Sequence, residues 1–190
     1  MKKFMNFQGL AFALLITLFL TSCEAESIEA SAEIQETNLT VTKSELEGEW
    51  KLSGMIADDP VDLNNDGVAS FNLLDEAPCF DRMNAVFNND GSFSTINGRL
   101  DFNSGENQDE FTCGTDRQDF GTWDLKDENV LMLTLTINGQ SYTHNKNLDF
   151  NGDTFAFEIS KFESDEYVDN QEESVAKDVR ILYLEYSRVQ

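Results

Sequence analysis

Val130-Leu131-Met132-Leu133-Thr134-Leu135-Thr136-Ile137-Asn138-Gly139 is the stretch from which the fold can be read. Leu131, Leu133, Leu135 and Ile137 fall on one face, and Met132, Thr134 and Thr136 on the other. Alternation of period two with one apolar face marks a half-buried antiparallel strand. Asn138-Gly139 ends it, because both residues tolerate the positive φ that a two-residue hairpin turn demands. A second alternating segment, Ser141–Leu148, follows directly.

The same pattern extends in both directions. Asn151-Gly152 precedes Phe155, Phe157 and Ile159, which alternate with Ala156, Glu158 and Ser160. Upstream, Asp90-Gly91 separates Phe87 from Phe93, and Met83, Ala85 and Phe87 share a face. A softer turn, Asp127-Glu128-Asn129, joins Leu125 to Val130. Strands are therefore expected near 48–55, 80–88, 92–102, 111–125 (with a bend), 130–137, 140–149, 154–161 and 177–189. Sequential hairpins make a meander, and closing it removes exposed strand edges. The expected fold is all-β: an antiparallel up-and-down barrel of about eight strands. Val179, Ile181 and Tyr183 oppose Leu182, Leu184 and Tyr186 in the last strand, which predicts cover on both of its faces. Thr42–Glu47, with Thr42 and Glu45 spaced as a capping box, predicts a helical turn that supplies the outer cover. The acidic stretch Glu163–Glu173 reads as a loop or a frayed end.

Residues 1–22 have a different character. Lys2 and Lys3 precede an apolar run from Leu10 to Leu20. That run falls short of the roughly 20 residues a free-standing spanning helix needs, and it suits the hydrophobic core of an export signal. Leu20-Thr21-Ser22-Cys23 resembles a bacterial lipobox, in which the cysteine thiol receives lipid. Cleavage there removes two lysines and no acid, so the formal charge of −23 becomes about −25. Such a charge excludes nucleic acid as a partner, since phosphate binding needs Lys and Arg. It equally disfavours electrostatic docking on anionic lipid, so membrane attachment is expected through lipid on Cys23. Residues 23–43, rich in Glu, Ala, Ser and Thr, read as a flexible acidic tether, and 44–190 as one domain.

Three cysteines are present. With Cys23 lipidated, Cys79 and Cys113 remain, and two thiols in an oxidising compartment pair.

Asp62, Asn64, Asp66 and Ser70 place oxygen side chains at positions 1, 3, 5 and 9 of a loop, with Gly67 at 6 and the Val68 carbonyl at 7. This is the first three-quarters of an EF-hand calcium loop. Position 12 is Leu73, so the missing carboxylate would come from Asp75 or Glu76. A weak structural calcium site is the expectation; an ordinary Asn/Asp/Gly turn is the alternative.

Catalytic signatures are sparse. His144 is the single histidine, in an alternating segment where a surface or lumen position is the default. No G-x-S-x-G, H-E-x-x-H or phosphate-cradling glycine loop occurs. A non-catalytic protein is expected.

Leu46-Glu47-Gly48-Glu49-Trp50-Lys51-Leu52 resembles the G-x-W opening strand of lipocalins, and Gly121-Thr122-Trp123-Asp124-Leu125 is a second copy of it. Together with the lipobox and the Asp62–Cys79 stretch, these motifs resemble the lipocalin-like lipoproteins of Bacteroidetes, flavobacterial ones in particular. The likeness covers roughly 44–190. It implies an eight-stranded barrel with an internal calyx, no known enzymatic activity, and anchoring to the outer membrane. Glu24 and Glu26 resemble surface-export signals, and both the periplasmic and the surface face stay open. In such a barrel Trp50 plugs the closed end; either Arg180 or Arg188 stacks on it or both are solvated, and Trp123 belongs to the core rather than to a ligand contact. Two functions remain. One is a module binding a small apolar or amphipathic ligand; the other is an envelope interaction protein with a packed interior. Phe93, Phe155 and Phe157 serve either, and an empty lumen of several hundred Å³ separates the two.

Overall fold

The structure, a computed structural model, describes residues 40–102, 110–126, 129–137, 139–169, 174, 176, 177 and 179–190. Cys23, the signal, most of the tether and parts of two predicted turns (Asp127, Glu128 and Asn138) lie outside the described residues.

Thirteen strands form among the described residues. The first seven are β1 (Gly48–Val61), β2 (Ser70–Asn72), β3 (Asn84–Phe87), β4 (Ser92–Asn97), β5 (Leu100–Phe102), β6 (Phe111–Cys113) and β7 (Arg117–Lys126). The rest are β8 (Val130–Ile137), β9 (Gln140–Asn147), β10 (Asp149–Phe150), β11 (Thr154–Glu158), β12 (Val168–Asp169) and β13 (Ile181–Arg188). Two one-turn helices, α1 (Lys43–Leu46) and α2 (Lys161–Ser164), complete the set.

Eight of the strands carry the expected up-and-down order. From β1 through β3, β4, β7 and β8 to β9, neighbours in this series pair antiparallel, β11 pairs with β13, and β13 returns to β1. The sheet curls strongly into a half-barrel. One junction is open: among the described residues β9 has no ladder to β11. Its chain continues through Leu148 into β10, which pairs with β11 alone. The two edges of the sheet are thus successive in sequence and meet at one corner, leaving a seam above it.

Where the expected strands split, packing explains the break. The 92–102 segment divides at Gly98, where an added Cβ would stand 2.1 Å from the Cys79 carbonyl oxygen. The chain therefore folds against the 3-10 turn Pro78–Phe80, which replaces the start of the expected 80–88 strand. Beyond Gly98, β5 joins a small second sheet in the order β12-β5-β6. The expected bend in 111–125 is the gap between β6 and β7. At 154–161 the strand stops at Glu158, and α2 follows, capped by Ser160 and Glu163. The supposed loop from Glu163 onward therefore contains the end of α2 and β12.

The last strand needs a correction. Both its faces were expected to be covered, yet Tyr183 is 36% exposed. Ala57 pairs with Ile181 and Ile56 with Tyr183, so Leu182 is the extra residue of a bulge. That bulge moves Ile181 onto the buried side with Leu184 and Tyr186. A matching irregularity at Ser53 lets Leu52, Met55 and Ala57 all face inward on β1. Nor does the N-terminal turn cover an outer face. Leu46 is buried, and its carbonyl accepts the Trp50 indole N–H at 2.8 Å, so the turn caps the end of the barrel. Val41 is buried as well, held by its N–H donating to Asn129 Oδ1 at 2.7 Å.

Trp50 is fully buried at that end, edge-on to Phe155 at 4.8 Å and to Phe150 at 6.4 Å. Of the two candidate arginines, Arg188 stacks on it, 4.2 Å from the ring centroid, while Arg180 is exposed. Trp123 lies in the core, its indole N–H donating to the Asn88 carbonyl at 2.9 Å. Cys79 and Cys113 form a disulfide that ties the 3-10 turn to β6.

Candidate binding cavity

The closed end is filled by aromatic rings, and the filling stops part-way along the barrel. Phe155 stacks on Tyr186 at 5.1 Å, and Tyr186 on Phe157 at 6.2 Å. Above this stack lies a cavity of about 480 Å³. Strand alternation places its walls: Phe93 from β4, Leu133 and Leu135 from β8, and Phe157 from β11. Of the three phenylalanines expected inward, Phe93 and Phe157 line the cavity, whereas Phe155 belongs to the plug beneath Trp50. Gly121 makes room at the wall: an added Cβ there would meet the Phe93 ring at 2.7 Å and the Thr134 carbonyl at 2.1 Å. The second G-x-W glycine thus has a packing reason.

β9 contributes a different surface. Tyr142, His144 and Lys146 pair with Leu135, Leu133 and Leu131, so they share the inward face. His144 is therefore a lumen residue. Its Nδ1 stands 3.7 Å from Glu163 Oε1, an ion pair only when the imidazole is protonated. Lys146 crosses the open seam, donating to Glu163 Oε1 at 2.5 Å and to the Glu158 carbonyl at 3.3 Å. Burial works against ionisation of Glu163, but hydrogen bonds from Lys146 and Ser160 prevail and hold its carboxyl below the usual range. Across the mouth, Arg117 bridges Asp119 at 2.9 Å and Glu166 at 3.0 Å. Phe162 on α2 is 76% exposed beside the opening. Walls are apolar and the rim is made of paired charges, as in many small-molecule sites.

Tyr142, Lys146, Arg117, Tyr167 and Tyr186 were not singled out as lumen residues from sequence. Period-two alternation carried the signal for Tyr142 and Lys146, in register with the leucines of β8. The Ser160-x-x-Glu163 spacing, a capping box, was equally visible for α2.

The acidic loop between β1 and β2 is organised by its own side chains. Asp62 accepts the Asp66 N–H at 3.1 Å on one oxygen and the Gly67 N–H at 3.0 Å on the other. Asn64 Oδ1 accepts the Asp66 N–H at 2.9 Å, and Asp66 accepts the Val68 N–H at 2.8 Å. Ser70 donates to Asp75 at 2.9 Å, so Asp75 does reach the loop. Glu76, 3% exposed, instead accepts the Leu63 N–H at 2.9 Å and braces the loop from below. Among the described residues no three His, Cys, Asp or Glu side chains gather as a metal-holding group. The oxygens of Asp62, Asn64 and Asp66 keep further lone pairs beyond these bonds.

A family model described as a domain of unknown function, DUF5004, matches residues 24–170. The chain belongs to the DUF5004 family. No curated protein matches it. The DUF5004 match takes in every element from α1 to β12 and stops before β13, although Tyr186 of β13 lines the cavity. No helix among the described residues is long and apolar enough to cross a membrane.

Proposed function

We propose that this DUF5004 protein is a lipid-anchored, non-catalytic binding module of lipocalin-like type, holding a small apolar or amphipathic ligand in its barrel. The observation that carries this reading is the cavity. A lumen of about 480 Å³ with aromatic and aliphatic walls is what a calyx needs, and a packed interior is what an interaction protein alone would have. The two G-x-W motifs, with Trp50 plugging the end opposite the cavity, support the lipocalin likeness. Attachment through Cys23 rests on the order of n-region, apolar run and lipobox, and placement at the outer membrane on the likeness to the lipoproteins of Bacteroidetes. The Asp62–Asp75 loop adds weak, stabilising calcium binding, with hard oxygen donors from Asp62, Asn64, Asp66, Ser70 and Asp75 and the Val68 carbonyl.

Native mass spectrometry of the purified protein tests the reading. The expected result is a small-molecule adduct that organic extraction removes and that returns on adding lipid extract. Bare protein before and after incubation with the extract would leave the packed-barrel alternative.

A further inference from the structure

The floor of the cavity carries a polar group that the barrel itself does not use. Tyr186 is 4% exposed and lies against the rings of both Phe155 and Phe157. It lines the cavity, and its hydroxyl has no hydrogen-bond partner among the described residues. Tyr167, from the segment after α2, lines the same space close enough to interact with Tyr186, and its hydroxyl is likewise without a partner among those residues. A buried hydroxyl left unpaired is costly, which is why nearly all are bonded. The Tyr186 hydroxyl therefore gives an apolar lumen a polar floor open to whatever enters, and the partly buried Tyr167 stands between that floor and the charged rim of Arg117, Asp119, Glu163 and Glu166.

The chemistry of that floor selects its guest. Withdrawal from water pushes Tyr167 up to about 12 and Tyr186 well above the ordinary tyrosine range. Both stay neutral donors at any physiological pH. Neutral phenols solvate a neutral oxygen well but cannot compensate a full negative charge buried among phenylalanines. The groups lining the cavity that carry or can take a positive charge already face carboxylates: Lys146 is paired with Glu163, Arg117 with Asp119 and Glu166, and a protonated His144 would meet the same Glu163 at 3.7 Å. The carboxylates outnumber Lys146 and Arg117, and the protein as a whole is strongly acidic.

We propose that the cavity takes a neutral amphiphile, an apolar chain ending in an uncharged carbonyl or hydroxyl oxygen, and that Tyr186 at the lumen floor, with Tyr167 beside it, binds that oxygen. This rests on the binding-module reading and adds the class of ligand and its orientation, oxygen inward. Fatty carboxylates are discriminated against, because among the described residues the cations lining the cavity already face carboxylates of the protein.

The experiment is displacement of an environment-sensitive fluorophore from the full chain by 2-undecanone, 1-decanol, decanoate and undecane. The ketone and alcohol should compete best, undecane less well, and decanoate least. Tyr186→Phe should weaken the ketone roughly 3- to 10-fold, the range for one neutral hydrogen bond, and leave undecane unchanged. The free Tyr186→Phe protein should melt at the same temperature or slightly higher, since it loses no partner; Tyr167→Phe provides a second, independent variant. Decanoate binding as tightly as the ketone overturns the inference. So does an equal effect of both substitutions on ketone and undecane, and in those cases the binding-module reading stands. Failure of all four probes to displace the dye overturns both.

Discussion

Replacing Arg188 by Ala probes the closure of the barrel. The guanidinium stacks over Trp50 at 4.2 Å and donates to two backbone carbonyls, that of Glu47 at 3.0 Å and that of Glu45. It therefore ties the last strand to the N-terminal turn, across the plugged end. A partly desolvated cation–π contact is worth roughly 1–2 kcal/mol. Charged hydrogen bonds contribute about 1.5–3 kcal/mol each where buried, less at this half-exposed site. Because one side chain makes all three contacts, they are not additive, and a loss of about 3 kcal/mol is expected. For a protein of this size that is a drop in Tm of roughly 6–12 °C. Arg188→Lys should recover only part, since an ammonium keeps the charge but loses the planar fork. Arg180→Ala, at an exposed position, should stay within about 0.5 kcal/mol of the parent. Thermal unfolding followed by near-ultraviolet circular dichroism reads all three, with Trp50 as the reporter. An Arg188→Ala shift no larger than that of Arg180→Ala would refute the closure role.

Four further outcomes are expected. Reducing the Cys79–Cys113 bond, or replacing both cysteines by Ser, should cost about 4 kcal/mol by the loop-entropy relation, and thiol titration of the native protein should find neither residue free. Gly121→Ala should cost several times the roughly 1 kcal/mol of Gly139→Ala, because its Cβ meets backbone and ring whereas that of Gly139 meets nothing within 4 Å; chemical denaturation compares them. Glu163 has a depressed folded-state pKa, so its contribution is present above the unfolded value of roughly 4.3 and disappears as pH falls through the folded value. Glu163→Gln should therefore lower Tm at pH 7, with the gap closing in acid. Millimolar calcium should stabilise the fold by about 0.4–1.4 kcal/mol for a site of roughly 10⁻⁴–10⁻³ M, read as a small rise in Tm; Asp62→Ala should abolish the effect and Asp149→Ala should not.

The strand series was legible in the chain because strand alternation and hairpin turns are local. Leu131, Leu133 and Leu135 face inward in the structure as their spacing predicts, and Gly91, Gly139 and Gly152 all take positive φ. The disulfide followed from a cysteine count, and the plug from a motif around Trp50. None of these needs to know where distant segments meet. The split of 92–102 at Gly98, the bulge at Leu182 and the choice of Arg188 over Arg180 depend on register between strands far apart in sequence. A one-residue shift there exchanges buried for exposed faces, and the bare alternation around Ile181–Tyr186 reads equally well both ways. The cavity is of the same kind. Its walls come from the alternation, but its volume and open seam arise only because β9 and β11 fail to pair. The Tyr186 hydroxyl, without a hydrogen-bond partner among the described residues, likewise becomes visible only once five other strands and the segment after α2 enclose it.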